Sequence, residues 1–198
     1  MKRYVTIVLL VFLVGPVLAQ TLPVHTVTNK VGYGGMLDIP GQSKDKLFAK
    51  AKKWLAIKHS DANPYTITYE NETEGGITGK GSFTLPAEER KYTVQFLITI
   101  ATKDGKCKYE FTDFMIRYTT AGGMSTGGFS YWSSSSYNES ETLEYTLETF
   151  YPIRLEKRKK PAIKWYEHIN AKSFEAIDRE MRAIESSLKQ TMSAQTNW

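Results

Sequence analysis

The sequence predicts an α+β domain, and three observations predict it. Between Tyr65 and Tyr118 apolar residues recur at every second position in successive segments, the period of half-buried strands. Ahead of them, Lys44 to Ser60 carries apolar residues at helical spacing. Behind them, Phe174, Ile177, Met181, Ile184, Leu188 and Met192 step by three and four along one stripe of a second helix. The expected order is β-α-β-β-β-β-insertion-α, an antiparallel sheet of about five strands with one face covered by the two helices.

Each element has its own signal. Gln20 to Gly35 is polar and glycine-bearing without a period, and reads as a flexible lead-in. Met36 to Ile39 fits a short strand that Pro40-Gly41 ends. Ser43 suits the N-cap of the following helix, and Asp45 suits its positive end. Leu47, Ala51, Trp54 and Leu55 then share one face, and Lys44, Lys46, Lys50, Lys52, Lys53 and Lys58 read as its solvated remainder.

Tyr65, Ile67 and Tyr69 alternate with Thr66 and Thr68 as a strand, and Asn71 to Gly76 reads as a turn. Ile77, Gly79, Gly81 and Phe83 share the next parity until Leu85-Pro86 stops the run. Gly79 and Gly81 leave room for a bulky group such as Trp54 against the backbone. Tyr92, Val94, Phe96, Ile98 and Ile100 give the cleanest strand, and Lys103-Asp104-Gly105-Lys106 turns it back. Cys107, Tyr109 and Phe111 have one parity on the return; Phe114, Ile116 and Tyr118 have the other. A bulge near Asp113 accounts for the switch. Glu141 to Tyr151 fits a strand through Leu143, Tyr145 and Leu147, or a helix through Leu143, Leu147 and Phe150.

The chain opens with a leader pattern. Lys2 and Arg3 precede an apolar run from Val5 to Val14, Gly15-Pro16 breaks it, and Val17-Leu18-Ala19 supplies small residues for cleavage after Ala19. The run is well short of the ~20 residues that span a bilayer. The expectation is an exported protein, periplasmic or secreted, with no transmembrane segment after cleavage. The domain scheme is then leader 1–19, lead-in 20–35, main domain 36–118, insertion and basic linker 119–160, and C-terminal helix 161–198. The formal charge of +5 falls to +3 once Lys2 and Arg3 leave with the leader. So mild a surplus, on an exported chain, points to no nucleic-acid partner. Cys107 is the one cysteine, so the fold rests on packing with no internal disulfide.

Chemical motifs are few. Gly75 to Phe83, GGITGKGSF, resembles a phosphate cradle at first sight. A Walker loop needs a glycine five positions before Gly79, where Glu74 stands, and a Ser or Thr after Lys80, where Gly81 stands. The dinucleotide pattern fails at Thr84. The stretch is a turn leading into a strand. His25, His59 and His168 lack metal-ligand spacing, so no metal and no cofactor are expected. The acids Glu139, Glu141, Glu144 and Glu148 read as a solvated segment, and Ser133 to Ser136 as a flexible linker. No catalytic residue is assigned, and no enzymatic activity is expected.

The feature that suggests binding is the Gly- and Ser-rich insertion carrying Phe129, Tyr131, Trp132 and Tyr137, a composition resembling adaptable binding loops. The competing reading is a disordered loop, or one whose rings fold down on the open face of the sheet. The run Arg154-Leu155-Glu156-Lys157-Arg158-Lys159-Lys160 suits lipid phosphates, against a solvated linker.

Certain short motifs carry a resemblance. Pro40-Gly41-Gln42-Ser43-Lys44-Asp45 with Leu47 and Trp54, Gly79-Lys80-Gly81, and Lys103-Asp104-Gly105-Lys106 followed by Tyr109, Phe111, Thr112, Asp113 and Phe114 stand in order. Together they resemble a family of short exported proteins from Bacteroidota-type bacteria, a domain of unknown function with a TATA-binding-protein-like (TBP-like) fold. The resemblance spans about Met36 to Tyr118 and, more loosely, the last helix. It implies a curved antiparallel sheet with helices on one face. It supplies no activity and no site residues, and the fold name implies no DNA binding. The sequence reading is therefore a non-enzymatic binding module of the cell envelope for a glycan, lipid or protein. An assembly partner without a small ligand, and a hydrolase with unplaced residues, are the alternatives.

Overall fold

The computed structural model describes residues 22–26, 28–57, 65–85, 92–119, 142–151 and 171–194. Strand β1 spans Tyr33–Asp38 and helix α1 spans Lys44–Ala56. Strands β2 (Thr66–Asn71), β3 (Gly76–Leu85), β4 (Tyr92–Lys103) and β5 (Lys106–Thr119) follow. Strand β6 (Thr142–Thr146) runs into a 3-10 turn at Leu147–Thr149, and helix α2 covers Ala171–Ser193. The sheet is antiparallel, in the order β1-β5-β4-β3-β2, and β6 pairs with β5 beyond the end of β1.

Helix α1 begins where Ser43 is extended and its side chain accepts from the Lys46 amide at 3.4 Å. It ends where Ile57 leaves the helical region while its amide still bonds to Lys53 at 3.0 Å. Between these caps Leu47, Phe48, Ala51, Trp54 and Leu55 are buried. The larger of these side chains each contribute roughly 1.5–3 kcal/mol by burial. On α2, Phe174, Ile177, Met181, Ile184, Leu188 and Met192 are all buried, as the three- and four-residue steps predict. Both helices lie on the face of the sheet that carries Ile77, Phe83, Val94, Ile98 and Phe111.

The bulge expected near Asp113 is present. The β4–β5 register shifts between Gln95 and Leu97, and Asp113 adopts a φ of +52°. Before it Cys107, Tyr109 and Phe111 face the helices; after it Phe114 and Ile116 do. The β4–β5 turn takes its positive φ at Gly105, +69°.

Three expectations change, and one open reading is decided. The lead-in is packed well before Gly35: Leu22 and Val31 are buried, Val24 bridges Val31, and β1 opens at Tyr33. Its glycines hid this strand from a propensity reading, yet the pairing requires them. A Cβ on Gly34 would sit 2.9 Å from the Tyr109 carbonyl, and one on Gly35 would sit 2.8 Å from the Tyr109 hydroxyl. The stretch left between strand and helix is strand up to Thr146 and a 3-10 turn after it, with Leu147 fully buried; the sheet has six strands. The group lying on Gly81 is the Tyr65 ring, and Trp54 stacks on Tyr65 at 5.2 Å. Finally, Tyr69 does not share a face with Ile67, a change that shapes the site.

Candidate functional site

The residues singled out from sequence for binding, Phe129, Tyr131, Trp132 and Tyr137, lie outside the described residues. So do Arg154, Lys157, Arg158, Lys159 and Lys160, and so do His59 and His168. The structure places the start of the insertion and a strand within it. Thr119 closes β5 and pairs with Thr142, which opens β6.

The open face of the sheet follows from strand register, because directly opposed residues in antiparallel strands project to one side. No described helix or strand covers it. Along β4 it presents Thr93, Gln95, Leu97, Thr99 and Ala101, the positions that alternate with the buried ones. Thr78 pairs with Thr99, and Thr99 pairs with Glu110. The fourth member of this transverse row is Tyr69, which pairs with Thr78.

A bulge puts it there. The β2–β3 register shifts between Ile67 and Tyr69, so Ile67 sits opposite buried Gly79 while Tyr69 sits opposite Thr78 on the open side. Glu70, one residue later, returns to the helix side and pairs with Lys52 of α1 at 2.9 Å. Tyr69 is 56% exposed, and its hydroxyl accepts from the Asn71 amide at 3.3 Å. Regular alternation from Tyr65 puts Tyr69 in the core; nothing in Thr66–Glu70 marks the extra residue.

The charges of this face are largely matched. Glu110 pairs with Lys108 at 2.8 Å, Glu144 with Arg117 at 2.6 Å and Asp38 with Lys106 at 4.0 Å. Lys80 and Lys103 lie on the same face and have no carboxylate partner among the described residues. At the β1 edge a groove of about 590 Å³ runs under the 23–32 segment, bounded by His25, Lys30, Gly34, Glu110 and Asp113. Lys30 bonds Asp113 across it at 2.9 Å, and that carboxylate raises the lysine's pKa. The His25 ring nitrogen Nδ1 accepts from the Thr28 amide at 3.4 Å. Among the described residues no three His, Cys, Asp or Glu side chains converge as metal ligands.

Two of the motifs behind the resemblance, Pro40 to Asp45 and Lys103 to Lys106, meet at one corner of the fold, and their work there is structural. The Asp104 carboxylate accepts from the Lys44 amide at 2.7 Å, and the Gly105 amide donates to Gln42 at 2.8 Å. The Ile39 amide donates to Gly105 at 2.7 Å, and the Lys44 ammonium donates to the Thr73 carbonyl at 2.9 Å. Thr102 bonds Gly75 through both its amide and its hydroxyl, at 2.8 and 3.0 Å. Two hairpin turns and the start of α1 are thereby fastened together.

Residues 33–117 match the model of a domain of unknown function, DUF4468, with TBP-like fold. Over these residues the chain is similar to that family. The DUF4468 stretch runs from the first residue of β1 into β5, so it includes Tyr69, Lys80 and the corner described above. A solved DUF4468 family protein from Bacteroides ovatus is 18% identical, covering 83% of this chain and 90% of its own, with a TM-score of 0.48. A TBP-like protein from Parabacteroides distasonis is 14% identical, covering 81% and 93%, with a TM-score of 0.49. No curated protein matches the chain. No helix among the described residues is long and apolar enough to cross a membrane.

Proposed function

We propose that this protein is an exported, non-enzymatic binding module of the cell envelope, and that the open face of its sheet is the surface that binds. One observation carries the reading. Both helices stack on the same side, and the opposite side of a six-stranded sheet presents hydroxyls, two unmatched lysines and an outward-turned tyrosine. Burying a face of that kind in the fold would strand its polar groups; leaving it in water costs nothing and keeps it available. The leader pattern at Lys2 to Ala19 supplies the export half of the reading. The segment carrying Tyr131 and Trp132 joins β5 to β6, at one end of the same sheet.

Site-specific photocrosslinking in the native host tests this. A photoreactive residue at Thr99, in the middle of the open face, is expected to capture an envelope component. The same residue at Glu175, exposed on α2, is expected to capture none. Equal capture from both positions, or none from Thr99, refutes an open-face binding role.

A further inference from the structure

Resting on that reading, we propose that the β2–β4 part of the open face is a platform for a linear acidic polysaccharide. Tyr69 is the stacking ring, and Lys80 is the counter-charge to a uronate or sulfate.

Tyr69 is the one large aromatic side chain exposed among the described residues. Its hydroxyl is tethered by Asn71, so less side-chain freedom remains to be lost on binding. An exposed aromatic ring offers an apolar plane to the C–H face of a pyranose, while its edge stays polar. Hydroxyl groups surround it in register. Thr78 lies directly opposite, Thr99 one strand further, and Thr66 and Lys80 form the next pair along the same two strands. Strands are ~4.8 Å apart and same-face neighbours along a strand ~6.8 Å apart, so these groups occupy a sugar-sized neighbourhood. A hydroxyl both donates and accepts, which matches the vicinal hydroxyls of a sugar.

Charge decides the class of glycan. Glu110, Glu144 and Asp38 each have a basic partner on the face, and Lys80 has none among the described residues. Among the strand residues of the face next to the ring, the charge left without a partner is that of Lys80, which favours an anionic chain over a neutral one.

Other occupants fit less well. A nucleic-acid backbone needs a row of free cations, where the two here without a carboxylate partner, Lys80 and Lys103, stand about half the length of β4 apart. Membrane insertion needs an apolar surface, where this one presents Thr93, Gln95, Thr99 and Lys103 along β4 alone. Strand addition needs a regular edge, and β2 is bulged between Ile67 and Tyr69.

The test is titration calorimetry of the full mature chain with polygalacturonate, with the same polymer fully methyl-esterified, and with a sulfated polymer, each at low and raised salt. Binding is expected to at least one acidic polymer, with loss of about tenfold or more on esterification of the uronate chain and weakening in salt. Tyr69→Ala and Lys80→Ala are each expected to weaken it by about tenfold, and Tyr69→Phe to retain it. The double variant Lys46→Ala/Lys53→Ala, on α1, removes more charge and is expected to leave binding unchanged. Thermal melts of every variant exclude unfolding as the cause.

Binding to no acidic polymer overturns the proposal, as does a Tyr69→Ala variant that binds like the parent. So does an α1 double variant that loses as much as Lys80→Ala, since net charge alone then explains the attraction. Capture by anionic phospholipid vesicles without binding to any polymer also overturns it. Each of these results leaves the Thr99 crosslinking outcome standing on its own, so the wider binding reading fails or survives separately.

Discussion

The carboxylate of Asp104, in the β4–β5 turn, accepts a 2.7 Å hydrogen bond from the backbone amide of Lys44, the first residue of α1. The hairpin thereby caps a helix that lies 60 residues before it in the chain. Ser43 also serves the first turn, at a longer 3.4 Å, so the distant residue is the closer partner. The turn sequence is therefore selected for two tasks: Gly105 takes the positive φ, and Asp104 satisfies an amide that helix geometry leaves without a partner.

Asp104→Ala is expected to destabilise the fold by about 1 kcal/mol, the usual cost of a lost helix cap. For a chain of this size that corresponds to a fall in Tm of about 2–4 °C. Asp104→Asn keeps an acceptor oxygen and is expected to lose less. Thermal melts of both variants decide it, and equal melting of Asp104→Ala and the parent removes the capping role.

Gly81→Ala is expected to cost about 1–3 kcal/mol through overpacking. A Cβ there would meet the Tyr65 ring and lie 2.7 Å from Phe96 Cζ. Tyr65 cannot simply retreat, because Trp54 stacks against it at 5.2 Å. Gly76→Ala is the control, since a Cβ at Gly76 meets nothing within 4 Å. Urea unfolding of both variants checks the contrast. Equal stability of the two would show that the ring stack yields without cost.

These two sites mark the limits of the sequence. The cap of α1, the helix stripes, the Asp104-Gly105 turn and the Asp113 bulge were legible because each is set by residues near one another in the chain. The Asp113 bulge could be read because strong apolar residues stand on both sides of it and change parity. The bulge at Ile67–Tyr69 could not, since β2 is an edge strand whose threonines and Tyr69 tolerate either face. Strand β1 was obscured because its glycines are there for the approach of Tyr109, a residue more than seventy positions away. The tyrosine on Gly81 belongs to the same class: the gap was visible in sequence, while its occupant was fixed by the sheet register. The candidate ring at Tyr69 was therefore invisible as a site until the register was known.

Alkali is expected to unfold the protein through its buried phenols and thiol. Burial raises the pKa of Tyr33, Tyr65 and Tyr109, and the neighbouring acids Asp178 and Glu185 add to the rise at Tyr33 and Tyr109. Burial alone pushes Cys107 up to about 11 from an ordinary 9.0. In each case the folded state holds its proton to a higher pH than the unfolded chain does. The stabilisation is fully present below the unfolded values, near 9.0 for the thiol and 10.0 for the phenols, and declines as pH rises past them. Urea midpoints should accordingly be insensitive to these groups at neutral pH and fall above about pH 9–10. Tyr65→Phe is expected to soften that fall. A midpoint that stays level to pH 11 would contradict the burial of these groups.

The last contact to test joins helix to sheet. Asp178, on α2, is 2% exposed; its carboxylate accepts from the Tyr33 hydroxyl at 3.0 Å and from Arg182 Nε at 2.7 Å. Arg182 is largely in solvent, so the carboxylate is neutralised from the outside while Tyr33 reaches it from β1. Asp178→Leu leaves the Tyr33 hydroxyl buried without its acceptor, at a cost of about 1–3 kcal/mol. Tyr33→Phe removes one donor and keeps Arg182, and is expected to cost about 1 kcal/mol. The double variant replaces both polar partners together, so no buried group is left unmatched. It is expected to cost less than the two single changes combined, with a coupling of about 0.5–3 kcal/mol in a double-mutant cycle. Strict additivity in that cycle would show that α2 is held on β1 by its apolar stripe alone.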